Sequence, residues 1–431
     1  MSFEFTACLV VVFLMAGFGA PVALSMIIGA IAYLGISGQD LALAGEQIIQ
    51  GIYNSFVLLA VPLFIVAANI MNAGAISDRL LQFCVAIVGH LKGGLGHVNV
   101  LSSLIFSGMS GSAVADAAGV GNVIIRMMTK EGRYNSGYAA ALTAASATIG
   151  PIIPPSIPMV IFALVSDVSI GYLFIAGLVP GLFMGLVLMI VNRYLAARMN
   201  VVVEARTPLR EVPMITMRAF PTLMMPVILL YGIYGGVTTP TEAAAVAAIY
   251  ALLLAAIVYR SISMRELTAA FRKSAISSAS VGLVISAALI FNYIVATEGL
   301  PTQIANQLSS WNLSTIGFLL MVNLIYLVLG CVLDATTVIL VVVPLLIPAC
   351  RELGVDTVHF GIITMVNLMI GLITPPYGIL LFVINGTTGI PIAQIIRHIT
   401  PFLIILVGAL LVMTFFPDLI LFVPRLFGYS G

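Results

Sequence analysis

Two short segments carry residues that no α-helix can run through: Gly150-Pro151 with Pro154-Pro155, and Gly371 with Pro375-Pro376. Proline offers no backbone N–H and disfavours helical geometry in the residue before it. Each segment therefore leaves free carbonyls on one half-helix and free N–H groups on the other. Inside a bilayer, such ends coordinate Na⁺ through the carbonyls and attract anionic groups at the N-termini. Hydroxyls stand close by in the chain, at Thr148, Ser156 and Thr374. Two further segments, Ser107-Gly-Met-Ser-Gly-Ser112 and Gly330-Cys-Val-Leu-Asp-Ala-Thr-Thr337, add Ser107, Ser110, Ser112, Thr336 and Thr337 as oxygen ligands. Asp116 and Asp334 belong with these segments. A carboxylate at membrane depth costs a few kcal/mol on insertion scales, so each needs a reason. It can cap the following helix, accepting from free N–H groups at the positive dipole end, or it can add negative charge beside a cation. The two roles are compatible. Glu242, in Thr238-Thr-Pro-Thr-Glu242, falls near the outer end of a span and reads as structural or partner-facing.

Other chemistries lack their residues. There is no HExxH, GxSxG or P-loop pattern, so neither an enzyme nor an ATP-driven pump is indicated. The four histidines lie near span ends or loops. Cys8, Cys84, Cys331 and Cys350 have no metal-ligand spacing and read as small packing residues. No cofactor is expected beyond Na⁺ as a coupling ion. No Lys or Arg falls within the expected core, so an anionic substrate would rely on N–H groups, hydroxyls and co-bound cations. The membrane amides (Asn69, Asn72, Asn292, Asn323, Asn367) could line the site or hydrogen-bond between helices, the second being the plain role for any one of them. Asn367, one turn before Gly371, is the best exception.

The elements that position these groups must be membrane helices. Of 431 residues, 61% are hydrophobic and 8% charged, with a mean hydropathy of +1.19. A soluble domain carries about 25% charged residues, which rules out a soluble enzyme or a nucleic-acid binder. Apolar stretches of about 20 residues, enough to span a bilayer, recur from Phe5 to Phe422. The N-terminus has no basic region typical of a cleaved signal. The fold class is an all-α polytopic membrane protein.

The chain repeats itself. Ile149-Gly-Pro-Ile-Ile-Pro-Pro-Ser156 resembles Ile370-Gly-Leu-Ile-Thr-Pro-Pro-Tyr377, an offset of 375 − 154 = 221 that also pairs Glu131 with Glu352, Thr143 with Thr364 and Pro180 with Pro401. Asp116 pairs with Asp334 after a three-residue gap. Spans are expected at 4–19, 20–36, 53–73, 134–165 and 170–192, then at 219–236, 240–259, 276–297, 358–386 and 399–417. Short amphipathic surface segments fall at 77–91 and 301–312. The stretches 93–128 and 313–350 could each be one long span, two spans or a re-entrant hairpin. Reading them as hairpins gives five crossings per half and inverts the second half. That count places fifteen of the seventeen basic residues on one face, leaving Arg351 and Arg425 opposite. A Lys/Arg excess marks the cytoplasmic face. The 93–128 hairpin then opens from the cytoplasm, the 313–350 hairpin from the periplasm, and both termini face outward.

The motifs Ser107-Gly-Met-Ser-Gly-Ser-Ala-Val-Ala-Asp116, Gly150 to Pro158, Thr239-Pro-Thr-Glu-Ala-Ala-Ala245 and Gly371 to Gly378 resemble those of the large membrane subunit of tripartite ATP-independent periplasmic (TRAP) transporters. The resemblance runs essentially end to end. It implies an elevator-type member of the wider ion-transporter superfamily in the bacterial inner membrane, importing an organic acid anion with Na⁺. It implies inverted repeats over 1–205 and 206–431, with a moving transport domain formed by about 93–165 and 313–386, the rest being scaffold. It implies a periplasmic substrate-binding protein and a small four-helix membrane subunit, here expected as a separate chain, as partners. By position, Ser107, Gly108, Ser110, Ser112, Asp116, Gly150, Pro151 and Pro154 would hold one Na⁺. Gly330, Val332, Asp334, Gly371, Thr374 and Pro376 would hold another. Substrate would lie between them, near Ser112, Ser156, Thr336, Thr337, Asn367 and Gly378. A self-sufficient Na⁺/carboxylate symporter and an ion channel are the competing readings.

Overall fold

A computed structural model of the chain describes residues 2–53, 55–73, 76–199, 201, 203–311 and 313–431. Asn54 and Asn312, at or beside expected segment ends, lie outside the described residues. Among those described there is no strand. The first half runs α1 (Phe3–Gly17), α2 (Val22–Ile36), α3 (Ala42–Tyr53), a 3-10 turn Phe56–Leu59 leading into α4 (Ala60–Ala73), and α5 (Ile76–Val88). It continues with α6 (Gly94–Ser110), α7 (Ala113–Asp116), a π turn Ala117–Gly121 into α8 (Asn122–Thr129), α9 (Ser136–Ala147), α10 (Ile157–Ser166) and α11 (Ile170–Arg198). The second half runs α12 (Val212–Tyr234), α13 (Pro240–Leu253), α14 (Met264–Thr297), α15 (Leu300–Ser310), α16 (Thr315–Val332) and α17 (Ala335–Glu352). It ends with α18 (Thr357–Gly371), α19 (Ile379–Thr388), α20 (Ile392–Phe415) and α21 (Asp418–Leu426). Eight helical stretches among the described residues are long and apolar enough to cross a membrane, which suits a polytopic membrane protein.

Local chemistry sets the ends. Thr239 and Glu242 form a capping box that starts α13, each side chain meeting the other residue's N–H at 3.3 and 2.7 Å. Glu242 is thus structural. Ser263 and Glu266 do the same for α14, at 3.2 and 2.8 Å. That box moves the start of α14 to Met264, twelve residues before the expected 276, and puts Arg265, Arg272 and Lys273 on the helix. At 34 residues α14 is about 51 Å long, well beyond the ~30 Å of hydrocarbon. The amphipathic α3 and the short terminal α21 were not expected from hydropathy. Helices α5 and α15 form where amphipathic segments were expected, and the four cysteines are free and buried.

Packing depends on small residues. On α9, Ala139, Ala140, Ala141, Ala144 and Ala145 are fully buried, which lets α6 and α20 approach closely. Buried hydrogen bonds tie the same layer. Asn99 donates to Thr143 Oγ1 at 2.7 Å and Ser146 to Asn99 Oδ1 at 3.0 Å. Asn192 of α11 accepts from Tyr138 at 2.9 Å and donates to Gly93 O at 3.0 Å. α10 packs on α17, and α19 on the α7–α8 segment, so the two halves interlock around their interrupted helices.

Candidate functional site

Both expected interruptions are present. α9 stops at Ala147 and α10 starts at Ile157; α18 stops at Gly371 and α19 starts at Ile379. Each gap carries a cis X-Pro bond, Pro154–Pro155 and Pro375–Pro376. The two glycine-rich tips also form. α6 ends at Gly111, whose φ of +60° only glycine adopts without strain, and α16 ends at Val332.

The tips seat on the interruptions. A Cβ on Gly111 would lie 2.4 Å from Pro155 O, and one on Gly108 would lie 2.5 Å from Pro226 of α12 and 3.7 Å from Pro154 O. A Cβ on Gly371 would lie 2.6 Å from the Gly330 carbonyl carbon and 2.7 Å from its Cα. Cys331 Sγ donates to Thr374 O at 3.1 Å. Tip and interruption thus meet at backbone distance in both halves, and a side chain at Gly111 or Gly371 would run into the facing backbone.

The first site holds a buried acid. Asp116 is 3% exposed; Oδ1 accepts from Ser110 Oγ, and Oδ2 has no hydrogen-bond partner among the described residues. That oxygen faces Gly150, where a Cβ would come within 2.5 Å of it. Capping as a role for Asp116 is not what the structure shows. Ser112 caps α7, accepting from Ala115 N at 3.4 Å, while Asp116 sits a turn further on and points back to Ser110. At the second site Asp334 does cap. Its Oδ2 accepts from Thr337 N at 3.0 Å, its Oδ1 accepts from Thr337 Oγ1, and its side chain is exposed. By capping position Asp334 matches Ser112, an offset of 334 − 112 = 222 that departs by one residue from 221, where the pairing with Asp116 departs by three. Asp334→Ala is expected to cost about 1 kcal/mol of helix stability, read as a lower thermal midpoint of the purified protein.

Several expected ligands are engaged elsewhere. Ser107 Oγ donates to Ser103 O, and Thr148 to Ala145 O. Ser156, fully buried, donates to Pro151 O and caps α10 by accepting from Met159 N at 3.3 Å. Thr337 is buried against Asp334, and Thr374 donates to Ile370 O at 2.8 Å. Asn367 does not line an opening. It is fully buried and donates to Asn323 O and Oδ1 at 2.8 and 3.0 Å, while Asn323 donates to Thr414 at 2.9 Å. It is a helix-to-helix tie, as are Asn292, which donates to Leu340 O at 3.1 Å, and Asn323. Val332 is 58% exposed and Pro376 is exposed. Thr336 is half-buried, and Gly378, φ +48°, begins α19.

Two of the membrane amides and one residue missed by hydropathy, Lys273, lie beside the first tip. A cavity of about 290 Å³ separates Ser110 and Ser112 at the tip from Asn69 and Asn72 of α4 and Lys273 of α14. Asn69 is held there by donating to Ser274 Oγ at 3.0 Å. The sequence signal for Lys273 was the Ser263/Glu266 box, which carries helix back past it. A larger cavity, about 680 Å³, lies between the ends of α10 and α12 and near Phe427, and includes no tip or interruption residue.

Residues 9–419 match the family described as "Tripartite ATP-independent periplasmic transporter, DctM component". The chain is 39% identical over 414 residues to a sialic acid TRAP transporter large permease protein of Vibrio cholerae, covering 96% of each. It is 39% identical over 375 residues to a C4-dicarboxylate TRAP transporter large permease protein of Pseudomonas aeruginosa, covering 87% of this chain and 88% of the relative. It is 35% identical over 404 residues to a 2,3-diketo-L-gulonate TRAP transporter large permease protein of Escherichia coli, covering 94% and 95%. In fold it is similar to the YdaH transporter of Alcanivorax borkumensis, with a TM-score of 0.61 at 14% identity over 88% of this chain and 89% of the other.

Proposed function

This chain belongs to the TRAP transporter DctM family of large permeases, and we propose that it is the membrane subunit through which a Na⁺ gradient drives uptake of an organic acid anion. The observation that carries the proposal is the seating of both glycine tips on both helix interruptions. Seated so, the Asp116 carboxylate oxygen that has no hydrogen-bond partner among the described residues faces the backbone at Gly150, and a broken helix is the setting in which membrane transporters hold a coupling ion. One Na⁺ sits between the Ser107–Ser112 tip and the Gly150–Pro155 interruption. A second sits between the Gly330–Asp334 tip and the Gly371–Pro376 interruption. The substrate occupies the cavity beside Ser112. Its chemical class is that of the relatives' substrates: a sialic acid, a C4-dicarboxylate or a sugar acid.

The halves 1–205 and 206–431 act as inverted repeats. The hairpin and interrupted helices, about 93–165 and 313–386, move as an elevator against the rest, with α5 and α15 as connecting arms. The chain lies in the bacterial inner membrane with its basic face inward, and takes substrate from a periplasmic binding protein alongside a small membrane subunit. Two Na⁺ entering with a monoanion move one net charge, worth about 2.3 kcal/mol per 100 mV. The test is uptake of labelled N-acetylneuraminate, succinate and 2,3-diketogulonate into proteoliposomes holding this chain and its small subunit, with binding protein outside. One of the three should enter, only under an inward Na⁺ gradient and only with binding protein. Entry without binding protein would make the chain a self-sufficient symporter; entry that does not saturate would make it a channel.

A further inference from the structure

We infer that Lys273 is the residue that recognises the anionic group of the transported substrate, pairing its ammonium with a carboxylate held in the cavity between α14 and the Ser110–Ser112 tip. The inference rests on the transport reading above and adds the residue that selects charge. Lys273 is the one charged residue lining a 290 Å³ cavity whose other polar groups are the amides Asn69 and Asn72 and hydroxyls at Ser110, Ser112 and Ser277. None of the ion pairs within 4.0 Å among the described residues includes it. The acid next to the cavity, Asp116, is turned away: one oxygen is held by Ser110 and the other faces Gly150. Lys273 is exposed and has no ion-pair partner among the described residues, on a wall that mixes amides and hydroxyls with apolar residues such as Ile65, Val114 and Ile157, so its counter-charge is left to the occupant. Amides and hydroxyls around an ammonium suit a hydroxylated or carbonyl-bearing acid, whose remaining oxygens they can bond.

The placement also fixes which side supplies the charge. Lys273 belongs to the 34-residue α14 and Asn69 to α4, whereas Ser110 and Ser112 belong to the tip, so the anion would bridge the two. A lysine whose ammonium merely reached a lipid phosphate would sit at the same depth on α14 but would not respond to a soluble anion.

The native cysteines are all buried, so Lys273→Cys places the accessible thiol in the cavity. A methanethiosulfonate reagent carrying an ethylammonium group rebuilds a lysine-like cation there, and one carrying an ethylsulfonate group installs the opposite charge. The readout is the thermal shift of the purified full chain in NaCl with N-acetylneuraminate, succinate or 2,3-diketogulonate. Wild type should be stabilised by one of these anions, and Lys273→Cys should need at least about tenfold more of it for the same shift. The ammonium reagent should restore the response to within about threefold, and the sulfonate reagent should not. A Lys273→Cys response within about twofold of wild type, or equal rescue by both reagents, would overturn the assignment and leave the transport reading standing. Absence of any shift in wild type with all three anions would overturn both.

Discussion

Replacing Gly371 with valine is expected to cut Na⁺-driven uptake at least tenfold while leaving the protein in the membrane. A Cβ at this position would stand 2.6, 2.7 and 2.9 Å from the carbonyl carbon, Cα and oxygen of Gly330. These are backbone atoms, so no flexible side chain can move aside, and the tip of α16 has to shift relative to the interruption after α18. Overpacking of this kind costs about 1–3 kcal/mol. The cost falls on the joint where we propose the second Na⁺ site, so the loss should show first as weaker Na⁺ dependence. Gly408→Ala in α20 is the control, since a Cβ there meets nothing within 4 Å. Uptake assayed against surface level separates the outcomes: a Gly371→Val protein with normal Na⁺ dependence would remove the second cation site from that joint.

The second large effect is expected at Asp116. Asparagine has nearly the same shape and can still accept from Ser110 through its oxygen, so Asp116→Asn isolates the charge. If the carboxylate faces Na⁺ across Gly150, a unit charge about 4 Å away is worth on the order of 4 kcal/mol at an effective dielectric of 20. A fall in apparent Na⁺ affinity of at least about thirtyfold is then expected, with folding retained. Ser110→Ala should act more mildly, because it leaves the charge in place and removes one hydrogen bond. Were Asp116 only a structural partner of Ser110, the order would invert, with asparagine harmless and Ser110→Ala the damaging change.

The interruptions were legible in the sequence because proline and glycine act locally and cluster there: Gly150-Pro151 with Pro154-Pro155, and Gly371 with Pro375-Pro376, break the helix, whereas lone prolines such as Pro180 and Pro401 lie inside continuous helices. The tips were legible for a related reason, since Ser107–Ser112 and Gly330–Asp334 concentrate turn formers inside apolar stretches. That each tip would rest on an interruption needed tertiary structure, and the contacts Gly371–Gly330 and Gly111–Pro155 join residues some forty apart. The role of Asp116 was not legible, because whether Ser112 or Asp116 caps α7 depends on one turn of local geometry. Asn367 misled because its partner, Asn323, is far away in sequence, so its local position before Gly371 says nothing about where its amide points. Lys273 was missed because hydropathy trims charges from the ends of spans, whereas α14 continues three turns past the apolar window. Its capping box was the available signal.

The most direct test of the proposed cation sites needs no knowledge of the substrate. Anything that binds the folded chain and not the unfolded one stabilises it by RT ln(1 + [L]/Kd), about 1.4 kcal/mol at ten times Kd. The thermal midpoint of the purified full chain should therefore rise saturably with NaCl over choline chloride at equal ionic strength, and the rise should be reduced in Asp116→Asn and Gly371→Val. Midpoints that follow ionic strength alone, identical in the two salts and in all three proteins, would contradict Na⁺ binding where the tips meet the broken helices.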